Sequence, residues 1–150
     1  MEIGGNLMNR YEEMRNRHQK AFNALPLKFA FTDEQFEKCM AEWGYTTEDT
    51  DKIYKFAGNG FYRREDNELI RNTIHEHNDE MEKAIADDKT GEGFIYEMFL
   101  CELRNHEYGY TGDTEYTLDM LGYTPQDLEK DKRLAIGLRK ACKQIQKEEY

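Results

Sequence analysis

Apolar residues recur every three or four positions along most of this chain, which is the spacing of one face of an α-helix. The first run ends before Pro26 and comprises Leu7, Tyr11, Met14, His18, Phe22 and Leu25. Later runs predict helices from Phe36 to Trp43, from about Arg64 to Asp88 and from about Pro125 to Ile145. We expect an all-α fold, a single compact and irregular helical domain of about seven helices over residues 1–150.

One predicted helix is apolar on nearly all sides. It follows a turn at residues 90–93 and carries Phe94, Ile95, Tyr96, Met98, Phe99, Leu100 and Leu103. A helix of this kind is normally covered on several sides, so we expect it at the centre of the fold. A Tyr/Gly-rich loop, residues 108–113, follows it, and a short helix through Leu121 comes next.

Two segments are less regular. Residues 27–31 alternate, which predicts one short extended segment, and no partner strand for it is evident. Residues 51–56 are predicted to continue a helix that the turn at residues 58–60 ends. Ahead of the helix at Phe36, Thr32 and Gln35 predict a capping box, in which each side chain satisfies a backbone donor of the other residue.

One turn sequence occurs twice, at residues 44–49 and 122–127. It consists of Gly, Tyr and Thr, with Asp three positions after the Thr. The Gly ends one helix, and the Thr and Asp begin the next. The pattern indicates either a duplicated unit or the same favourable turn used twice.

The formal net charge is −10, and it is unevenly distributed. Residues 1–30 carry +2 and residues 129–150 carry +3, whereas residues 31–128 carry −15. So acidic a chain disfavours contacts with nucleic-acid phosphates and attracts a basic partner. A DNA-binding helix-turn-helix at residues 36–56 is disfavoured for the same reason. Solubility alone is the other explanation of this charge.

Cysteine usage and hydropathy bear on the compartment. Cys39, Cys101 and Cys142 are odd in number and form no CxxC pair, which favours reduced thiols in the cytosol. The N-terminus lacks the basic start and apolar run of a signal peptide. The longest apolar stretch, residues 94–101, is too short to span a bilayer. We therefore expect a cytoplasmic location and no membrane partner.

No segment carries a recognisable catalytic motif. His75 and His77 are two residues apart, so on a helix they point in nearly opposite directions and do not share a metal ion. His106, Glu107 and Asp113 include the parts of an acid–base pair, but no nucleophile, oxyanion hole or phosphate-binding motif accompanies them. A capped helix end followed by an aromatic surface loop explains this stretch better. We assign no catalytic residue, metal ligand or cofactor.

Carboxylates form the strongest pattern outside the predicted core. On the long helix they follow one another three or four residues apart, at distances of about 5–6 Å. Such a ladder imitates a run of phosphates and fits a basic groove on another protein. Tyrosines of the loop at residues 108–113 supply contact area at low entropic cost. The predicted partner-binding residues are Glu76, Asp79, Glu80, Glu82, Asp87, Asp88, Tyr108, Tyr110 and Asp113.

Four stretches together carry a resemblance to a family. They are Lys28-Phe29-Ala30-Phe31, Trp43-Gly44, Lys55-Phe56-Ala57-Gly58-Asn59-Gly60-Phe61-Tyr62-Arg63-Arg64 and Glu107-Tyr108-Gly109-Tyr110-Thr111-Gly112-Asp113. With these stretches the chain resembles small acidic proteins of unassigned function from phages and mobile elements of gut Firmicutes. The resemblance covers most of the chain and implies that the protein counters host defence by binding a nuclease complex in the bacterial cytoplasm. No functional residue can be carried over.

Three functional hypotheses follow. The first is a non-enzymatic acidic protein that binds a basic protein surface, as an inhibitor of a host-defence nuclease (anti-CRISPR or anti-restriction type) by nucleic-acid mimicry. The second is a small hydrolase or nuclease that uses His106, Glu107 and Asp113. The third is a structural or scaffolding helical protein, which includes a homodimer formed through spare aromatic surface.

Overall fold

The computed structural model describes residues 9–148, and most of these residues are helical. Leu7, the first residue of the first predicted helix face, lies outside the described residues. Along the chain the elements are α1 (Arg10–Asn23), β1 (Lys28–Phe29), α2 (Asp33–Glu42), β2 (Ile53–Phe56), β3 (Gly60–Arg63), α3 (Asn67–Asp87), α4 (Phe94–Asn105), α5 (Tyr108–Thr111), α6 (Glu115–Leu121), α7 (Pro125–Lys130) and α8 (Lys132–Glu148). Short 3-10 turns, Thr50–Lys52 and Arg64–Asp66, precede β2 and α3.

The mainly helical class expected from the apolar spacing is confirmed, with a small three-stranded sheet in addition. The helices expected near residues 36–43, 64–88 and 94–103 correspond to α2, α3 and α4. Thr32 caps α2 as predicted, because its side chain accepts a hydrogen bond from the Gln35 N–H at 3.1 Å. The other half of the predicted capping box differs: the Gln35 side chain accepts from the Phe31 N–H at 2.7 Å instead of the Thr32 N–H. Among residues 9–148, no helix is long and apolar enough to cross a lipid bilayer.

By their contacts, the described residues form two compact units. The first unit contains the residues up to Gln19 and those from Glu80 onward, and the second unit is Lys20–Asp79. The boundaries fall inside α1 and α3. The single domain expected from the chain length is not decided by this grouping and stays a prediction.

In the first unit, α4 is the most buried helix, as its apolar sequence predicts. Eight of its residues between Phe94 and Leu103 are buried. Residues of α1, α5 and α8 belong to the same cluster; they are Tyr11, Met14, Tyr108, Leu134, Ala141 and Ile145. Burial of one large apolar side chain stabilises a fold by about 1.5–3 kcal/mol, so this cluster is the main source of the unit's stability.

The last helix, α8, approaches α4 closely at Gly137. A Cβ atom at this position would lie 2.7 Å from the carbonyl oxygen of Gly91 and 2.7 Å from Cγ2 of Ile95. Such distances are repulsive, and glycine permits the close approach because it has no Cβ. One turn earlier, Arg133 donates a hydrogen bond to the carbonyl oxygen of Asp88 at 2.6 Å. This junction ties the turn before α4 to the start of α8.

In the second unit, β3 lies between β1 and β2 and is antiparallel to both. Phe61 of β3 pairs across the sheet with Lys28 on one side and Lys55 on the other. Its ring packs against Phe36 and Trp43, with centroids 5.1 Å and 5.5 Å away. Helix α2 and its C-cap Trp43 therefore cover this face of the sheet.

Aromatic residues also line the opposite face of this sheet. Tyr62 points away from Phe61 because neighbouring residues of a strand face opposite sides. Its ring lies 5.8 Å from Tyr54 and 6.3 Å from Phe56, and Phe56 in turn contacts Phe22 of α1 at 5.9 Å. The small sheet thus has aromatic side chains on both faces.

The prediction of a helix through residues 51–56 is wrong. That segment contains a 3-10 turn and then β2, which pairs with β3. Ile53, Tyr54 and Phe56 are β-branched or aromatic and favour strands, and Gly58 takes the positive φ that the hairpin turn requires. No partner strand was evident for residues 27–31, but the same hairpin supplies one, because β1 pairs with β3.

Two further boundaries differ from expectation. The loop expected at residues 108–113 contains the short helix α5. The last predicted helix is divided into α7 and α8 at Asp131, where the backbone is extended (φ −120°, ψ 98°). Both are local departures and leave the order of the helices as expected.

The repeated turn ends a helix in both places. Gly44 and Gly122 have φ values of +79° and +83°, and in both copies the N–H of the next tyrosine donates to a carbonyl oxygen at 2.9 Å. Only the second copy begins an α-helix, where Thr124 and Asp127 form the predicted capping box of α7. The first copy leads into the 3-10 turn before β2.

Candidate functional site

Glu80, at the start of the first unit's part of α3, is held by two basic side chains. Its carboxylate accepts hydrogen bonds from Arg17 Nη2 at 2.6 Å and Nη1 at 3.1 Å, and lies 2.7 Å from His18 Nε2. These bonds lower the pKa of Glu80 to about 2. The predicted partner-binding carboxylate Glu80 is therefore occupied by an intramolecular contact.

Glu82 and Asp87 differ in their surroundings, although both are exposed. Asp87 accepts a hydrogen bond from Lys83 Nζ at 2.9 Å, and this bond lowers its pKa. Glu82 has no ion-pair partner among the residues that the structure describes. Of the two, Glu82 is the more available to another molecule.

Asp88 organises the turn between α3 and α4. Its two carboxylate oxygens accept backbone hydrogen bonds from Thr90, Gly91, Gly93 and Ile95 at 2.9–3.2 Å. Burial disfavours the charged form of Asp88, but these four donors outweigh it and hold the pKa below its usual range. The structure thus gives Asp88 a local role, which the spacing of the carboxylates did not reveal.

In the second unit, the predicted partner-binding residues are Glu76 and Asp79. Both are exposed, and His75 Nε2 lies 3.2 Å from Asp79 Oδ2, one turn away on α3. Glu76 has no ion pair within residues 9–148. His75 is exposed and His77 is half-buried, in keeping with their two-residue separation on a helix.

A buried carboxylate, Glu102, lies in the first unit in the last turn of α4. Only 1% of this residue is exposed, and its carboxylate accepts a hydrogen bond from the Tyr11 hydroxyl. Arg15 Nη1 lies 3.3 Å from it and Asn105 Nδ2 3.4 Å. Burial and the bond to Glu102 raise the pKa of Tyr11 far above its usual range. Since a buried charge is costly without partners, these groups account for Glu102.

The residues of the hydrolase hypothesis do not assemble into one site. His106 Nε2 lies 3.6 Å from Glu102 Oε1, and its ring packs against Tyr116 with centroids 4.7 Å apart. Glu107 is exposed and takes a left-handed conformation (φ 60°) before α5. Asp113 accepts a hydrogen bond from the Glu115 N–H at 2.9 Å and so begins α6. No described contact joins Glu107 or Asp113 to His106.

Residues 107–120, which we name the acidic segment, combine carboxylates with exposed apolar side chains. No Lys or Arg occurs between residues 105 and 129. The carboxylates are exposed and have no ion-pair partner among the described residues; they are Glu107, Asp113, Glu115 and Asp119. Among them, Tyr110 is 93% exposed, Tyr116 63% and Met120 44%. Exposed aromatic and Met side chains are enriched at protein interfaces.

The acidic segment is attached to the core of the first unit. Tyr108 is buried, and its hydroxyl accepts a hydrogen bond from Gln146 Nε2 at 3.2 Å. On α6, Tyr116 and Met120 are four residues apart and therefore lie on the same side of the helix. Tyr108 thus serves as an anchor, whereas Tyr110 and Asp113, predicted in the same loop, are exposed.

Metal-binding clusters and reactive thiols are two further kinds of site. Residues 9–148 contain no group of three His, Cys, Asp or Glu side chains that could hold a metal ion. All three cysteines are free thiols. Burial, together with the charges of Glu102 and Glu12, raises the pKa of Cys101 to about 11. A thiol with so high a pKa is a poor nucleophile near neutral pH.

Comparison with known protein families gives one match. Residues 10–144 match a family described as a family of unknown function, DUF7659. The chain belongs to this family. No curated protein and no solved structure matches the chain. Membership in DUF7659 confirms a family without an assigned function, and DUF7659 names no activity or partner. The phage or mobile-element origin expected from the resemblance stays a prediction.

Three residues of these sites were not predicted from the sequence. The burial of Glu102 could have been predicted, since Glu102 follows Met98 by four residues on the buried side of an apolar helix. Tyr116 and Met120 were assigned to a short helix without regard to exposure. Their spacing of four, beside carboxylates and far from any base, was the available signal.

Proposed function

We propose that this protein acts without catalysis, by binding a basic surface of another protein through the acidic segment, residues 107–120. The observation that carries the proposal is the combination of exposed Tyr110, Tyr116 and Met120 with four exposed carboxylates that have no ion-pair partner in the described chain. Inside a protein, aromatic side chains are covered by their neighbours. On a surface they are typical anchors of an interface.

Electrostatics supports a basic partner. Carboxylates that are satisfied within the protein, such as Glu80, have little to gain from a second partner. Among those of the acidic segment, Asp113 accepts one hydrogen bond from the Glu115 N–H. Its second oxygen and the carboxylates of Glu107, Glu115 and Asp119 can accept hydrogen bonds from Lys or Arg. The net charge of −10 disfavours a second copy of the same chain at this surface and speeds encounter with a cationic one.

The exposed carboxylates Glu76 and Glu82 of α3 have a more limited place in the proposal. They carry no ion pair among the described residues. We assign them a long-range contribution to the rate of association, which falls as salt is added. We do not include Asp88 in the binding surface, because its oxygens are occupied by backbone donors.

The finer form of the proposal is inhibition of a host-defence nuclease by a phage or mobile-element protein. Its support is the sequence resemblance, together with carboxylates that stand in for phosphates at a basic groove. A cytoplasmic site of action belongs to the same proposal and agrees with the three free thiols.

The test compares two variants with equal charge. In the segment variant, Glu107→Gln, Asp113→Asn, Glu115→Gln and Asp119→Asn remove four carboxylates. The control variant removes four exposed carboxylates of the second unit by Glu34→Gln, Glu37→Gln, Glu48→Gln and Asp51→Asn. A partner captured from bacterial lysate by the wild type and the control, and lost by the segment variant, is the expected result. Equal capture by all three proteins would overturn the proposal.

Three further measurements use the captured partner in purified form. Tyr110→Ala should weaken binding by about tenfold or more, the loss expected of an interface anchor, and should leave unfolding unchanged because the side chain is exposed. Raising salt from 50 to 500 mM should weaken wild-type binding. If the partner is a nuclease, addition of the wild type should inhibit DNA cleavage and the segment variant should not. Binding without inhibition would contradict the finer form alone.

A further inference from the structure

The second unit contains a cleft between the start of α2 and the β2–β3 hairpin. Its volume is about 400 Å³, within the range of roughly 300–1,000 Å³ that small-molecule sites occupy. Its apolar lining includes Phe31, Phe36, Ile53 and Phe61. All residues that line the cleft belong to Lys20–Asp79, and none belongs to the acidic segment.

The apolar lining leaves a large ring uncovered. Phe31 is 73% exposed, although Phe61, which lines the same cleft, is only 4% exposed. An exposed phenyl ring at the rim of an apolar cleft gains free energy when another flat apolar group covers it. This favours a ligand with an aromatic or branched apolar side chain.

Two opposite charges line the same cleft, and neither has a partner among residues 9–148. Lys55 comes from β2 and Asp33 from the first turn of α2. Neither side chain makes a hydrogen bond or ion pair with any residue that the structure describes. By contrast, the neighbouring Lys28 is bound to Glu42 at 2.8 Å and Lys52 lies 3.4 Å from Asp49. The cleft therefore offers one unused cation and one unused anion beside an apolar lining.

We propose that this cleft binds a free amino acid with an aromatic or branched apolar side chain. Lys55 would take the ligand carboxylate, Asp33 the ligand ammonium group, and the phenyl rings the side chain. A purely apolar molecule would leave both charges unused, and a simple anion would meet the Asp33 carboxylate. A zwitterion with an apolar side chain satisfies all three parts of the lining. The site is independent of the proposed protein partner.

The test uses L-phenylalanine, L-leucine and two truncated analogues of phenylalanine. Phenethylamine lacks the carboxylate, and 3-phenylpropionate lacks the ammonium group. Trp43, the single tryptophan of the chain, is a built-in probe, because its ring lies 5.5 Å from the Phe61 ring that lines the cleft. Selective excitation of Trp43, confirmed by calorimetry, should show saturable binding of both amino acids. Each truncated analogue should bind about tenfold more weakly, since one charged hydrogen bond contributes about 1.5–3 kcal/mol.

Two variants assign the charges. Lys55→Met should weaken the binding of phenylalanine by about tenfold and leave the affinity for phenethylamine unchanged. Asp33→Asn should weaken the binding of phenylalanine by the same factor and leave the affinity for 3-phenylpropionate unchanged. Lys38→Met, an exposed lysine of α2 outside the cleft, is the matched control and should bind as the wild type does. The proposal is overturned if no amino acid gives a saturable response. It is also overturned if Lys55→Met and Asp33→Asn bind phenylalanine as tightly as the control.

Discussion

The Tyr11 hydroxyl donates a hydrogen bond to the buried carboxylate of Glu102, which lies 91 positions later in the sequence. The bond joins α1 to α4 inside the first unit and supplies the nearest donor to a side chain that is 1% exposed. Arg15 and Asn105 lie farther from the same carboxylate. Glu102 therefore depends on Tyr11 more than on any other described group.

Tyr11→Phe should destabilise the protein by about 1–3 kcal/mol, because it leaves a buried carboxylate short of one donor. Urea unfolding followed by far-UV circular dichroism measures the change. In a Glu102→Leu background the same substitution should cost far less, since no carboxylate remains to be satisfied. Equal costs in the two backgrounds would show that the phenol acts through packing alone.

Adjacent carboxylates at the end of α3 should behave differently. Asp88→Ala removes the acceptor of four backbone N–H groups and should destabilise the protein by about 1–3 kcal/mol. Asp87→Ala removes only an exposed pair with Lys83 and should leave stability almost unchanged, because solvent screens such a pair. Thermal unfolding of the two variants side by side checks this. Similar losses would contradict the role given to Asp88.

Acid should weaken the contact of Glu80 with Arg17 and His18. The folded pKa of Glu80, about 2, is depressed below that of an unfolded Glu, about 4.3. Its contribution to stability is therefore present above about pH 4.3 and is lost as the pH falls toward about 2. Because the pair is partly exposed, we expect a contribution of about 1 kcal/mol or less.

The matching measurement is the unfolding free energy of wild type and Glu80→Gln between pH 6 and pH 2. The difference in unfolding free energy between the wild type and Glu80→Gln should become smaller across the acidic half of this range. Glu82→Gln, at an exposed position without an ion pair among the described residues, is the control and should track the wild type throughout. A gap for Glu80→Gln that stays constant with pH would rule out the proposed linkage.

The helices were predictable because their apolar spacing is long and regular. Helix α4 is apolar on nearly all sides, so it could be identified from the sequence as the most buried helix, and eight of its residues are buried. The strands β2 and β3 have four residues each, too few to show alternation clearly. The pairing of β1 with β3 joins Lys28 to Phe61, and local sequence does not encode such a distant partner.

The predicted surface was harder to derive than the core. Glu80 and Glu82 look alike in the sequence, yet only Glu80 meets Arg17 and His18, which are more than sixty positions away. Tyr108 and Tyr110 are two residues apart, yet one is buried and the other is 93% exposed. Which side chain of such a pair remains available depends on tertiary contacts, and the spacing of residues along the sequence does not encode these contacts.

Gly137→Ala should destabilise the first unit, because the new Cβ would lie 2.7 Å from both Gly91 O and Ile95 Cγ2. Relief requires α8 to move away from α4, and overpacking of this kind costs about 1–3 kcal/mol. A surface alanine on the same helix, Lys143→Ala, should change stability by about 0.5 kcal/mol or less. Alanine has the higher helix propensity, so a Gly137→Ala protein more stable than wild type would mean that the two helices separate freely.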